Sequence, residues 1–314
     1  MLKYKNFHFK GDVILTQPTL LLIDGFNLLS RGYFATSYGR RDDQLSKNSD
    51  GLYTNALRVF FQKLMNLIHE HDVTHAAVAW DVKREDSVRR QYAPTYKETR
   101  NDLPAPLIEQ YETCTRILED MGILQVTVPP YEADDAIGAL SCQWSNRNDG
   151  RCLIYSNDRD LLQLLDERTT QIIASKKGEI LYTHTHFKEE FGITPTQWID
   201  VKALLGDKSD NIPGCPGVGE KSALPLIQQY GSVEGVYNQL ENGEFDPAYK
   251  RYQKKLIAGR ESAILSKKLA TIICEIPDLE DTDFTTYTFE MDHERVESVF
   301  QSVELKIKLH TTLL

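Results

Sequence analysis

Nine carboxylates in this 314-residue chain fall where they could do chemistry together. Asp24 and Asp81 each close a short apolar run, and Asp158 and Asp160 follow a third. Glu132, Asp134 and Asp135 open a helical pattern, and Asp207 and Asp210 stand three residues apart just after another. Each has an ordinary role when taken singly. Asp24 before Gly25 suits a turn, Asp158 suits a helix N-cap, and acids in a first helical turn complement the helix dipole. As a set they suggest something else. Ligands of open parallel sheets gather outside the carboxyl ends of the strands, so acids at three strand ends can converge there. Crowded carboxylates raise one another's pKa, and divalent cations relieve that repulsion. An all-oxygen donor set suits Mg²⁺ or Mn²⁺ rather than zinc. Two such ions about 4 Å apart are the usual arrangement for phosphodiester cleavage.

The stretch from Gly206 to Ala223, GDKSDNIPGCPGVGEKSA, places the last two acids beside a different device. Pro213, Gly214, Pro216, Gly217 and Gly219 read as a tight glycine hairpin opening a helix. Such turns expose backbone N–H groups that bind phosphate. The stretch is not a P-loop: Glu220 separates Gly219 from Lys221, and no strand precedes it. A helix-hairpin-helix fits better, with Ala223 and Ile227 packing on the earlier helix; it would grip a nucleic-acid backbone without reading bases. Pro225 falls inside the second helix and is expected to kink it. His184 and His186 read as alternating along a strand edge, and with His69, His71 and His75 they lack a patterned third ligand, so they are read as surface residues. Ser156 has no histidine near it in sequence, which gives no support to a hydrolase triad.

The elements that must position these groups follow from the apolar pattern. Short runs at 20–23, 76–80, 124–128, 152–155, 171–174 and 179–182 read as strands, the first of them as a buried parallel strand. Helical patterns at 56–68, 107–121, from Glu132 to about Trp144, and 161–165 lie between them. Alternation of this kind predicts a doubly wound α/β core with a parallel sheet. After about residue 185 the patterns turn helical, at 196–205, 222–230, 233–240, 249–257 and 261–269, and again in the tail at 294–308. Residues 36–50, rich in Ser, Asp, Arg and Asn, are expected to form a mobile loop. Segment 82–103 has few aliphatic residues and six basic against four acidic ones, a net of +2, and reads as a solvated excursion.

The formal net charge of −10 argues at face value against a nucleic-acid partner. Setting the nine acids aside leaves −1, and segment 249–268 carries seven basic residues against Glu261, a net of +6. Five cysteines without a CxxC pair fit free thiols in a reducing compartment. No apolar run approaches a membrane span. A soluble, cytoplasmic protein is expected.

The motifs together resemble the 5′-nuclease family: the 5′→3′ exonuclease domain of bacterial DNA polymerase I and its free-standing bacterial and phage relatives, which are flap endonucleases. They are LLIDGFN (21–27), GLYTNA (51–56), WD (80–81), YKETR (96–100), YEADD (131–135), SNDRDLLQLL (156–165), GDKSDNIPG (206–214) and GVGEKSA (217–223). The resemblance runs from about residue 19 to the C-terminus. It implies a PIN-like α/β core over 19–195 with a helical arch at about 82–105, a helix-hairpin-helix subdomain over 196–290, and a C-terminal segment, 291–314, packing back on the core, all behind an N-terminal extension, 1–18. It implies that the nine acids hold two or more Mg²⁺ ions, with Asp158 and Asp160 among the catalytic residues. Lys97 and Arg100 would contact the scissile phosphate, and Arg89 would be a basic DNA contact of the arch. Gly217, Val218, Gly219 and Lys221 would hold duplex DNA, with a K⁺ ion at carbonyls near Val218. The implied substrate is DNA with a 5′ flap, nick or primer end, cut by a monomer working beside a separate polymerase. A metal-dependent RNA nuclease and a non-catalytic DNA-binding module are the alternatives. Trp80 stands where the family usually has Phe, and one extra residue lies between Asp81 and Arg89.

Overall fold

The computed structural model describes residues 17–147 and 150–310. Most of the extension expected at 1–18 lies outside the described residues. Among the described residues six strands form one sheet in the order β3-β2-β1-β4-β5-β6: β1 Thr19–Asp24, β2 His75–Ala79, β3 Leu124–Val126, β4 Arg151–Tyr155, β5 Thr169–Ser175 and β6 Gly178–Tyr182. The first five run parallel, and β6 is an antiparallel edge. Helices α1 Gly25–Ser37, α2 Asn55–Glu70, α3 Arg89–Tyr92, α4 Ala105–Met121 and α5 Ala133–Arg147 belong to this half. The remainder is α6 His184–Phe191, α7 Trp198–Leu205, α8 Glu220–Tyr230, α9 Val233–Glu241, α10 Lys250–Ala258, α11 Arg260–Ala270 and α12 His293–Ser302. No helix among the described residues is long and apolar enough to cross a membrane.

Strand β1 shows why the run LLLI can be wholly apolar. Alternate residues of a strand face opposite sides of the sheet. Leu21 and Ile23 enter one core with Phe60, Phe61 and Leu64 of α2, while Leu20 and Leu22 enter the other with Ala136, Ile137 and Leu140 of α5. Both sides are covered, so both parities must be hydrophobic. Val296 and Phe300 of α12 join the first core. A third core, with Val201, Leu204, Ala223, Ile227 and Leu256, is built by the C-terminal helices.

Five expectations need correction. Segment 82–103 is not a solvated excursion, nor is it a continuous helix. It has only a 3₁₀ turn, Arg84–Asp86, and the single turn of α3. It lies down with Ser87, Arg89, Ala93, Tyr96 and Lys97 buried. Composition misleads there because much of what it buries is charge, matched by opposite charge beneath. Residues 36–50 are anchored: Leu45 is buried in the first core, and Lys47 bridges to Tyr53. His184 and His186 lie in the first turn of α6 rather than on a strand edge, because Thr183 caps that helix by accepting from the His186 N–H (3.2 Å). The tail helix stops at Ser302, short of 308, and Glu304 takes a left-handed φ of 58°. Helix α8 runs unbroken through Pro225, whose neighbours Leu226 and Ile227 are fully buried.

Candidate functional site

Strand order reverses between β1 and β4, and the acids gather at the carboxyl ends of those strands. Asp24 ends β1 and caps α1, accepting from the Asn27 N–H (3.1 Å) and from Ser156 Oγ (2.9 Å). Asp81 follows β2 and accepts from the Ala133 N–H at the start of α5 (3.0 Å). Asp158 follows β4; its N–H donates to Ser156 Oγ (3.0 Å), and Gln171 Nε2 donates to the carbonyls of Ser156 and Asp158 (3.0 and 2.6 Å). Asp134 sits in the first turn of α5. These four, with Glu132, line one cavity of about 600 Å³ that Lys97 and Arg100 also face.

The electrostatics of that group are strained. Burial first, and Asp81 second, push the Asp24 carboxyl up to about 7. Burial, then Asp158 and Asp24, hold Asp134 well above the ordinary carboxylate range. Asp81 is raised by burial despite Lys97. Buried anions facing other anions call for cations, and the donors are all oxygens, so the residues fit hard divalent ions. Among the described residues no three acidic, histidine or cysteine side chains are already gathered into a ready coordination sphere.

The other five acids already have cationic partners. Glu132 accepts from Lys97 Nζ (2.8 Å) and Tyr96 Oη (3.1 Å); burial works against its charge, but Lys97 and Arg89 outweigh burial and hold its carboxyl low. Asp210 accepts from Arg100 Nη2 at 2.5 Å, with Lys97 Nζ at 4.0 Å. Lys202 bridges Asp160 (2.8 Å) and Asp207 (2.6 Å). Burial, then Asp158, raise Asp160 to about 6 even so. Asp207 is opposed by burial yet held at about 2 by Lys202 and Ser209. The loop carrying Asp207 and Asp210 is pinned by a backbone crossing at Gly206, where a Cβ would meet the Ile212 carbonyl at 2.6 Å and φ is +73°.

Asp135 and Arg89 depart from their expected roles. Asp135 is fully buried and turned from the cavity. It takes both guanidinium nitrogens of Arg89 (2.7 and 2.8 Å) and the N–H groups of Glu132 and Ile273 (3.0 and 2.8 Å). Arg89 is 3% exposed and also donates to the carbonyls of Leu269 and Thr271 (2.9 and 2.8 Å). A rigid fork of donors filled this completely is a structural clasp between segment 82–104 and α5, with nothing left over for DNA. Sequence reasoning also missed groups that matter. Lys202 sat five residues before Asp207 on the last turn of a helix, a legible signal. Ser156 has no histidine beside it, and its hydroxyl instead orients Asp24. Tyr96 opens the YKETR motif, and its hydroxyl donates to Glu132.

In the helical half, Val218 is 4% exposed and packs into the third core, so only its backbone is presented. Gly217, Gly219 and Lys221 border a cavity of about 580 Å³ whose other wall is Arg251, Tyr252 and Lys255 of α10. The Gly217 carbonyl already faces Lys255 Nζ at 3.3 Å.

Two family models match the chain: the 5′-3′ exonuclease N-terminal resolvase-like domain over residues 19–192, and the 5′-3′ exonuclease C-terminal SAM fold over 193–293. The chain belongs to the 5′–3′ exonuclease family. As a member it is a 5′–3′ exonuclease. A 5′-3′ exonuclease of Halalkalibacterium halodurans is 60% identical over 292 residues, covering 93% of this chain and 96% of the relative. DNA polymerase I of Streptococcus pneumoniae is 40% identical over 266 residues, 84% of this chain but only 29% of the polymerase. A bacteriophage T5 flap endonuclease, solved with DNA and metal ions, shares the fold at a TM-score of 0.65 with 20% identity, over 91% of this chain and 99% of that one.

Proposed function

We propose that this 5′ nuclease hydrolyses DNA phosphodiesters at 5′ flaps, nicks and RNA-primed ends with Mg²⁺, beside a separate DNA polymerase. One observation carries the reading: Asp24, Asp81, Asp134 and Asp158 share a single cavity with Lys97 and Arg100 at the carboxyl ends of parallel strands. Those four acids and Glu132 would hold Mg²⁺ or Mn²⁺, joined by Asp160, Asp207 and Asp210 once Lys202 and Arg100 yield them. Bound divalent ions lower the pKa of a water and neutralise charge on the phosphoryl oxygens. The chain's own residues do the rest. Ser156 and the Asn27 amide fix Asp24. Lys97 and Arg100 exchange Glu132 and Asp210 for the scissile phosphate, bringing two positive charges to a group that gains negative charge as it is attacked. Asp158 and Asp160, on the loop after β4, complete the acidic rim.

The hairpin would grip duplex through backbone at Gly217, Val218 and Gly219 and through Lys221, with K⁺ on the carbonyls that Lys255 does not occupy. The test is a duplex with a labelled 5′ flap incubated with Mg²⁺ and its product ends mapped. Cleavage leaving 5′-phosphates is expected, and Asp158→Ala should abolish it. An uncut flap, or an Asp158→Ala variant as fast as wild type, would overturn the reading.

A further inference from the structure

Of the five cysteines, Cys114, Cys152 and Cys215 are buried. The two that are only half-buried, Cys142 and Cys274, are hydrogen-bonded to each other across the contact between α5 and segment 271–276. Gly138 lies one helical turn before Cys142 on the same face of α5 and permits the close approach. A Cβ there would meet Ile272 Cγ2 at 2.5 Å and Cys274 Sγ at 3.2 Å. Segment 271–276 is anchored on every side. Ile272 and Ile276 are buried in the second core with Ile137 and Leu140 of α5. The Ile272 N–H donates to Gln163 Oε1 (3.0 Å), and the Ile273 N–H donates to Asp135 (2.8 Å). The Thr271 carbonyl accepts from Arg89 (2.8 Å). The segment is therefore the strap that closes the Asp135–Arg89 clasp, and it keeps the two sulfurs side by side.

Phosphodiester hydrolysis uses neither thiol, and their mutual hydrogen bond gives them unequal roles. It lowers the Cys142 thiol below its ordinary value although burial opposes it, and together with burial it raises the Cys274 thiol. The thiolate is the nucleophile towards an oxidant, and an adjacent thiol that keeps its proton can resolve the product. We propose that Cys142 and Cys274 are a dithiol oxidised by hydrogen peroxide, and that the resulting disulfide staples the strap to α5. The Cys142 thiolate attacks one peroxide oxygen; the O–O bond breaks, the departing hydroxide takes up the proton that Cys142 had lost, and Cys142 becomes a sulfenic acid. The Cys274 sulfur then attacks the Cys142 sulfur, the S–O bond breaks, and water leaves with the Cys274 proton. Two thiols and one peroxide give one disulfide and two waters; the sulfurs lose two electrons and the peroxide oxygens gain them. Neither metal nor DNA takes part, so the inference stands apart from the nuclease reading. Roughly 130 residues lie between the two cysteines, a loop long enough for the cross-link to restrict the unfolded chain strongly.

The test uses the full chain, reduced, freed of reductant and treated with a small excess of hydrogen peroxide. The reaction is stopped by alkylation, and the protein is digested without reductant for mass spectrometry. The peptides that hold Cys142 and Cys274 are expected as one linked species, lighter by two hydrogens than their sum. Thiol titration of the denatured protein should fall by two, and dithiothreitol should restore both thiols. The oxidised protein should melt about 5 °C above the reduced one, the order expected for a cross-link closing a long loop in a chain of this size. Cys274→Ser should stop at the sulfenic acid, trapped on Cys142 by dimedone. Cys142→Ser should keep its remaining thiols at the same dose, and peroxide should raise the melting temperature of neither variant. The linkage map on wild type needs no substitution, so it decides the matter even where a serine variant fails to fold. Oxidation of Cys142 beyond the sulfenic acid with no cross-link overturns the dithiol, as does a cross-link to another cysteine or to a second chain. A cross-linked protein that melts no higher than the reduced one overturns the staple.

Discussion

Asp134 and Asp135 are neighbours in one motif, and the fold uses them in opposite ways. Asp135 is closed off by Arg89 and two backbone N–H groups, all four bonds between 2.7 and 3.0 Å. Asp134 faces a cavity with Asp24, Asp81 and Asp158, and its charge is disfavoured by burial and by those neighbours. The difference separates an acid that stabilises the fold from one that strains it. Satisfied buried charges contribute rigidity, and removing one partner leaves the other uncompensated. Unsatisfied buried charges weaken the fold until a cation or a proton arrives. An active site is often built of such groups.

The sharpest way to break the comparison is to neutralise each acid in turn. Asp134→Asn is expected to lower flap cleavage by about 10³-fold or more, equivalent to about 4 kcal/mol of transition-state stabilisation. The same change should raise the melting temperature of metal-free protein, because a repelled charge is gone. Asp135→Asn should do the reverse in calorimetry: it leaves Arg89 buried with half its partner, a loss of about 3–5 kcal/mol. That corresponds to a fall of roughly 10 °C for a chain of this size. If both variants shift the melting temperature in the same direction, the distinction between the two acids fails.

A smaller effect should be visible in the unmodified protein. The folded-state pKa of Asp24 is about 7 and that of Asp160 about 6, both above the ordinary 3.8. Between pH 4 and 7 the folded chain therefore holds protons that the unfolded chain has lost, so stability must decline as pH rises through that window. Metal-free protein should melt higher at pH 5.5 than at pH 8, and Mg²⁺ or Mn²⁺ should raise the midpoint more at pH 8, where the carboxylates are charged. Asp207 has the opposite sign. Its pKa is depressed to about 2, so its contribution is present above pH 4 and is lost only as pH falls towards 2. It should leave the slope between pH 5 and 8 untouched. A flat metal-free profile over that range would refute the strained cluster.

How much of this was legible in the sequence depended on whether the controlling force was local. The strands were legible because Leu20–Ile23 and Ala76–Val78 are buried on both sides of the sheet and must be apolar at every position. The acids at strand ends were legible because topology alone brings the carboxyl ends of parallel strands together. The lie of segment 82–104 was not. Arg89 and Lys97 look like surface residues until Asp135 and Glu132, more than thirty residues away, are seen beneath them. Long-range charge pairing leaves no periodicity, so a segment that buries ions reads as one that buries nothing. Lys202 is half-legible: Asp207 lies only five residues on, but the bridge to Asp160 spans 42 residues.

The hairpin offers the mildest contrast with the cleft. Its cations, Lys221, Arg251 and Lys255, lie around an open cavity on the C-terminal helices, and Lys221 and Lys255 are exposed. Exposed charges contribute little to folding, so Lys221→Ala should leave the melting temperature within about 1 °C, unlike either change in the YEADD motif. Its effect should fall on duplex affinity: a loss of several-fold, uniform across sequences, because phosphate contacts carry no base information. The salt dependence distinguishes this from a general loss of fold. Each phosphate contact removed should reduce the slope of log affinity against log salt by about 0.9. A titration of fluorescently labelled duplex from 50 to 200 mM salt, with wild type and Lys221→Ala in parallel, reads that slope directly. Parallel lines would mean that Lys221 does not touch the backbone, and the grip would then have to lie with Arg251 and Lys255 on the opposite wall.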